Sequence, residues 1–201
     1  MQILKSIHSA ATSSQKRFVL IGEHALNIHG IMRATGDVNI MVEAQDTAFW
    51  RELLQKLGYE IFHESGAFMQ CKPKELAAWP IDLMLVDANT LSKALSDAAT
   101  TEVFGPPLRV ASVSSLMAMK LHALKFVDAV RALKDQSDLF ALLELSGMTL
   151  DSESFRQMCG RYGTIEIYER LAAIKKKLRR SPSLQALSLT SPKDPLLRRR
   201  A

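Results

Sequence analysis

The chain has 201 residues, with 26 Lys and Arg against 21 Asp and Glu and a formal net charge of +5. At 47% hydrophobic and 23% charged, with 9 Gly and 7 Pro, it has the usage of a folded globular protein, which excludes a wholly disordered, collagenous or coiled-coil chain. No apolar run approaches the roughly 18 residues that span a bilayer. The N-terminal stretch MQILKSIHSAATSSQ lacks the apolar centre of a secretory leader, and two cysteines, Cys71 and Cys159, make neither a disulfide scaffold nor a zinc site. The sequence therefore reads as a soluble cytoplasmic protein with reduced thiols and no membrane partner.

The elements follow in chain order. Residues 17–21 (RFVLI) read as a buried strand ending at Gly22, and HALNIH as a helix stopped by Gly30. Residues 37–42 (DVNIMV) alternate and predict a second strand. Residues 46–57 form an amphipathic helix with Asp46 as cap and Gly58 as terminator. YEIFHE and AFMQCK flank Ser65-Gly66 as a hairpin, and PIDLMLV (80–86) is another strand with Pro80 at its tolerated first position. TLSKALSDA is a short helix with Asn89 as its cap. From Ser114 the pattern turns helical: 114–127, 132–145, 152–161 and 163–178.

Strands mixed with helices, then helices alone, predict an α+β fold: a small mixed sheet flanked by helices, followed by a helical C-terminal portion. The boundaries fall at 1–112, 113–178 and 179–201, the last a basic tail. Residues 175–201 hold nine basic residues and one acid, leaving residues 1–174 with a net charge of −3. The high positive charge belongs to the tail. It offers an RNA or another acidic partner a contact, or serves simply as a solubilising terminus.

Three features carry chemistry. A strand runs into Gly22-Glu23 and a helix begins; backbone N–H groups at a helix start attract anions, and Gly allows close approach. Read by itself this is also a plain strand-to-helix turn. Asp37 and Asn39 stand two apart on a strand, so both side chains share a face where oxygen ligands can hold a hard cation such as Mg²⁺; the alternative is a solvated polar face. Asp82 sits inside an apolar strand, where a carboxylate is costly unless paired, ligating or turned outward.

In combination these residues resemble the nucleotidyltransferase superfamily, which uses a Gly-Gly or Gly-Ser turn, an Asp-x-Asp strand and a third Asp on a neighbouring strand. IGEHALNIHGIMRATGDVNIMV is especially similar to the branch containing the toxin components of AbiE abortive-infection systems: His29-Gly30, Arg33, Thr35 and Asp37 match its helix end and Arg-x-Thr-x-Asp motif. VASVSSLMAMKLHAL and LKDQSDLFALL match its later helices through Lys120, Lys134, Asp135 and Asp138. The resemblance spans roughly residues 18–145. It implies a nucleoside triphosphate substrate and Mg²⁺, with Asp37, Asn39 and Asp82 as catalytic and metal-holding residues. It implies nucleotide binding by Gly22, Glu23, Arg33, Thr35, Lys120, Lys134, Asp135 and Asp138, and an antitoxin-like protein partner.

The sequence departs from the pattern twice. Asn39 stands for the second Asp and brings no charge. Glu23 stands for the small second residue of the turn, where its charge would repel a triphosphate. Two readings follow: transfer of a nucleoside monophosphate from a triphosphate with Mg²⁺, by an impaired site, or a non-catalytic binding or regulatory protein on a degenerate scaffold.

In the helical half, Lys120 interrupts the apolar stripe of Leu116, Met117 and Leu124, so it must snorkel to water or meet an anion. Arg131–Asp135 and Lys134–Asp138 are i,i+4 pairs whose plain reading is surface ion pairing. His24 and His29 read as structural, and Cys71 and Cys159 as small core residues.

Overall fold

The computed structural model describes residues 2–126 and 128–180. The strands are β1 (Phe18–Ile21), β2 (Val38–Glu43), β3 (Tyr59–Glu64), β4 (Phe68–Pro73), β5 (Ile81–Val86), β6 (Ala99–Thr101) and β7 (Leu108–Val110). The helices are α1 (Gln2–Ser13), α2 (Gly22–Ile28), α3 (Thr47–Lys56), α4 (Ala88–Ser96), α5 (Val113–Ala123), α6 (Ala129–Ser146), α7 (Glu153–Tyr162) and α8 (Ile165–Arg180). The fold is α+β, with α5–α8 forming the helical C-terminal portion.

The seven strands make one mixed sheet in the order β3-β4-β5-β2-β1-β7-β6. β1 is antiparallel to β2 and parallel to β7, while β2 is parallel to β5. The centre is apolar because it is covered on both faces: all four residues of β1 are buried, as are Val38, Ile40, Met41 and Val42 of β2. β5 alternates, with Ile81, Leu83 and Leu85 buried and Asp82, Met84 and Val86 half-buried. Trp50 of α3 is fully buried, its ring edge-on to Phe18 at 5.9 Å between centroids.

Several expectations need correction. The short helix is α4, and its cap is Asp87 rather than Asn89; the Asp87 carboxylate accepts from the Thr90 N–H and hydroxyl at 2.9 and 2.7 Å. Asp46 stands at the cap position of α3 but makes no capping bond, because its carboxylate is taken by Lys16 Nζ at 2.6 Å. β2 begins at Val38, so Asp37 lies one residue ahead of it. Helix α1 and strands β6 and β7 are additions: Leu4, Ile7 and Ala11 bury one face of α1, and β7 extends the sheet beyond β1. No helix among the described residues is long and apolar enough to cross a membrane. The tail from Ser181 lies outside the described residues.

Candidate active site

β1 ends where β2 and β5 begin, so one end of the sheet gathers a turn and two strand starts. Gly22 has φ +68°, the left-handed region, and a Cβ there would lie 2.9 Å from Asn39 Cβ. Only glycine fits, both for backbone conformation and for space. Asn39 pairs in register with Ile21 on one side and Asp82 on the other, and Asp82 with Gln70 of β4. Partners in register share a face, so Gln70, Asp82, Asn39 and the Gly22 turn form a row across the sheet.

Two carboxylates stand at that row: Asp82 within it and Asp37 two residues before Asn39. Thr35 Oγ1 donates to Asp37 Oδ1 at 2.9 Å and holds its side chain. Gln70 Nε2 donates to Asp82 Oδ2 at 3.0 Å. Burial pushes the Asp82 carboxyl above the ordinary carboxylate range, and the Asp37 charge pushes in the same direction; the Gln70 hydrogen bond and the charge of Arg131 oppose them. Asp82 stands beside Asn39 across the β2–β5 pairing, and Asp37 lies two residues before Asn39. A hard cation would relieve repulsion between two such carboxylates, and Asp37, Asp82 and the Asn39 amide oxygen are the residues that could hold one Mg²⁺. Among the described residues no group of three or more His, Cys, Asp and Glu gathers to hold a metal, so the charge available is that of two carboxylates.

Helix α6 closes the other side of the turn. Lys134 Nζ lies 2.5 Å from Glu23 Oε1. Burial alone would raise the Glu23 carboxyl, but the Lys134 hydrogen bond and the charges of Lys120 and Lys134 outweigh it and hold it below its usual value. One turn further on, Asp138 is fully buried and accepts from Arg33 Nε at 2.6 Å, with Lys120 Nζ 2.6 Å from its second oxygen. Lys120 also donates to Asp135 at 2.7 Å. Burial would lower Lys120, yet the hydrogen bonds and charges of Asp135 and Asp138 raise it. Arg33 is anchored a second time through its backbone, whose N–H donates to Asn27 Oδ1 at 2.6 Å.

The expected surface pairs Arg131–Asp135 and Lys134–Asp138 are not formed. Asp135 and Asp138 are 3% and 0% exposed and turn inward to Lys120 and Arg33. The reason is desolvation: the buried Lys120 requires an anion more than exposed lysines do. Lys120 thus meets an anion, and the protein itself supplies it.

No family model matches the sequence, and no curated protein does. Solved structures do. An antigenic nucleotidyltransferase-like protein from Paracoccidioides brasiliensis superposes with TM-score 0.55 at 13% identity, over 92% of this chain and 89% of that one. The lincosamide antibiotic adenylyltransferase LnuA, lincomycin-bound, gives 0.51 at 16% identity, over 71% and 95%. ANT(2")-Ia in complex with adenylyl-2"-tobramycin gives 0.50 at 13% identity, over 88% and 97%. The fold is that of the nucleotidyltransferases.

On this nucleotidyltransferase fold the remaining singled-out residues fall into place as supports. His24 is buried, stacked on Trp79 at 5.1 Å and edge-on to Phe104 at 5.6 Å, and burial lowers its pKa. His29 Nε2 lies 2.8 Å from the Ala111 carbonyl and ties the end of α2 to the segment after β7. Cys71 and Cys159 are buried thiols, each pushed up to about 11 by burial. Two neighbours of the carboxylates were not singled out by sequence as site residues: Gln70, read as part of a hairpin, and Arg131, read as a surface partner of Asp135. The period-2 alternation of β4 pointed to Gln70 only once its register with Asp82 was known.

Proposed function

We propose that this chain binds a nucleoside triphosphate with Mg²⁺ at Asp37 and Asp82 and transfers the nucleoside monophosphate to an acceptor, releasing pyrophosphate. The carrying observation is that Asp82 stands in register with Asn39, two residues after Asp37, beside a turn whose left-handed Gly22 packs directly on Asn39. The fold supports the same reading: LnuA is named an adenylyltransferase, and ANT(2")-Ia was solved with an adenylylated antibiotic.

Asp37 and Asp82 would hold the cation, with Asn39 as a neutral ligand. Bound there, Mg²⁺ supplies positive charge to the phosphates. Thr35 and Gln70 fix the two carboxylates before any ligand arrives, which removes a reorganisation cost. Gly22 lets a phosphate approach the chain. The acceptor oxygen bonds the α-phosphorus as the bridge to the β-phosphate breaks, and the chain contributes by positioning. Arg33, Lys120, Asp135 and Asp138 act as the frame behind the site, and Lys134 holds Glu23 aside from it. The AbiE-type assignment, an antitoxin-like partner and an RNA contact by the tail extend this reading on the sequence resemblance and on charge alone.

A second reading is favoured by Asn39 and Glu23: a non-catalytic nucleotide binder, since one charge is missing from the metal face and one is added at the turn. Calorimetric titration of each of the four nucleoside triphosphates with Mg²⁺, followed by transfer from α-³²P-labelled triphosphate, separates the two. Binding with transfer, both abolished by Asp37→Ala, supports the first. Binding without transfer supports the second, and no binding of any triphosphate rejects both.

A further inference from the structure

The corner where α5 turns into α6 leaves large apolar side chains in water. Phe126 is 75% exposed, Val130 81% and Leu133 67%. A lone exposed hydrophobe is ordinary, but three at one helix corner make a patch of the kind that marks an interaction site. Val130 and Leu133 stand at i and i+3 on the 18-residue α6 and share a face. The side of α6 that packs on the fold is a different one, through Ala132, Leu139, Leu142 and Leu143. Phe126 begins the patch, with the His122 ring 5.3 Å from its own and Lys125 Nζ 5.6 Å from its centre.

A basic stripe runs beside the apolar one. Arg131 and Lys134 are exposed at i and i+3, each next in sequence to an apolar member, and Lys125 stands at the same corner. Lys134 is held by Glu23, while among the described residues Lys125 and Arg131 form no ion pair. Asp128 is the exposed acid of this stretch, and its carboxylate is already used: it caps α6 by accepting from the Val130 and Arg131 N–H groups, each at 2.9 Å.

We propose that this corner docks a protein partner through an acidic amphipathic helix. Apolar residues of the partner, spaced i and i+3 or i+4, seat on Phe126, Val130 and Leu133, and carboxylates beside them face Lys125, Arg131 and Lys134. The sign of the rim selects the occupant. A second copy of the chain would bring the same three cations to the interface again, and residues 175–201, with nine bases and one acid, carry the wrong charge. A nucleic acid would meet the cations but leave Val130 and Leu133 without a contact. A broad anionic membrane surface would also face the net charge of −3 on residues 1–174, whereas a helix meets the corner alone. Such docking requires no nucleotide.

The probe is a labelled synthetic helix of about 20 residues, long enough to fold in isolation, with Leu at i, i+3, i+4 and i+7 and Glu flanking that stripe. Its anisotropy is followed on adding the full-length protein, alongside a peptide of the same composition in scrambled order and one with Lys in place of Glu. Val130→Ser, Leu133→Ser and Arg131→Glu change exposed side chains, so each variant should fold. The expected result is binding of the patterned acidic peptide that weakens at least about tenfold in each variant, with no binding of the Lys peptide and slowed amide exchange across residues 126–134. Equal binding of patterned and scrambled peptides, wild-type affinity in Val130→Ser and Leu133→Ser, or no binding overturns the proposal. So does self-association that Leu133→Ser abolishes, or binding of phosphatidylserine vesicles or oligouridine that these variants abolish while the peptide stays free.

Discussion

The charges of Lys120, Arg33, Asp135 and Asp138 cancel one another inside the protein, whereas Asp37 and Asp82, at the end of the adjoining sheet, repel each other in the field of an exposed arginine. The first set is closed. It is nearly dry, balanced two against two, and joins α5, α6 and the loop before β2. The second set is open, with two negative charges and a neutral amide facing a turn. Both cost free energy to bury. The closed set recovers it through ion pairs within the fold, whereas the open set has only the hydrogen bonds of Thr35 and Gln70 and partial exposure to water. On the function proposed above, ion-paired charge makes a joint and charge without an ionic partner makes the site.

The largest expected effect breaks the joint. Asp138→Ala leaves Arg33 without its carboxylate and Lys120 with Asp135 alone, and should cost about 3–5 kcal/mol, read as a fall in the urea midpoint. A loss below about 1 kcal/mol would mean that the four charges are already solvated and that the contrast between the two sets is false. Asp37→Ala should behave oppositely: stability within about 1 kcal/mol of wild type, or higher, because a repulsion is removed.

Next in size is the turn between the two sets. Gly22→Ala forces a Cβ into the left-handed region and to 2.9 Å from Asn39 Cβ. The strain should cost about 1–3 kcal/mol and displace Asn39, so thermal midpoint and triphosphate affinity should fall together. A variant that loses stability alone would separate the turn from binding.

Asn39→Asp sharpens the comparison from the open side. A third carboxylate a few ångströms from a divalent cation adds attraction on the order of 4 kcal/mol per unit charge at an effective dielectric near 20. Crowding against Asp37 and Asp82 in the metal-free protein offsets much of it. Mg²⁺ and Mn²⁺ should bind about tenfold more tightly, and any transfer should speed up. Identical metal affinity in wild type, Asn39→Asp and Asp37→Ala would show that there is no metal site.

The smallest effect is a pH dependence. The Glu23 carboxyl sits below its unfolded value, so its contribution is present at neutral pH and is lost as pH falls through the folded value. Lys134 is 52% exposed, so the contribution should stay below about 1 kcal/mol. Comparing unfolding midpoints at neutral and acid pH for wild type and Glu23→Gln checks this: the variant should show the shallower acid decline.

Much of the sheet was legible in the sequence. Strands at 17–21, 37–42 and 80–86 announce themselves by apolar runs, and the hairpin by Ser65-Gly66, because period and turn chemistry are local. The row Gln70–Asp82–Asn39 was only partly legible, since it depends on register between strands. β6 and β7 are three residues each, too short for any period to emerge. Helix α1 carried its signal in Leu4, Ile7 and Ala11 at i, i+3 and i+7, but that stretch was read only for its lack of a leader. Asp135 and Asp138 misled for a physical reason: i,i+4 spacing offers each a helical partner, and nothing local reveals a lysine from α5 or an arginine from the loop before β2. Long-range desolvation decided between partners that were equal on paper.

The bond between Arg33 and Asp138 joins residues 105 positions apart, and Glu23 finds its cation only at Lys134. This has a consequence for synthesis. The turn, Asp37 and Asp82 are all translated before the helix that frames them, and β1 likewise waits for β7. A nascent chain that has reached β5 already carries its two carboxylates, but Arg33 has only its backbone anchor to Asn27 and Glu23 lacks its Lys134 partner. Contacts this distant in sequence close late, because the chain between them must be ordered first. The order of the elements thus sets a sequence of closure: a chain that ends before α6 should lack the ion pairs that hold Arg33 and Glu23.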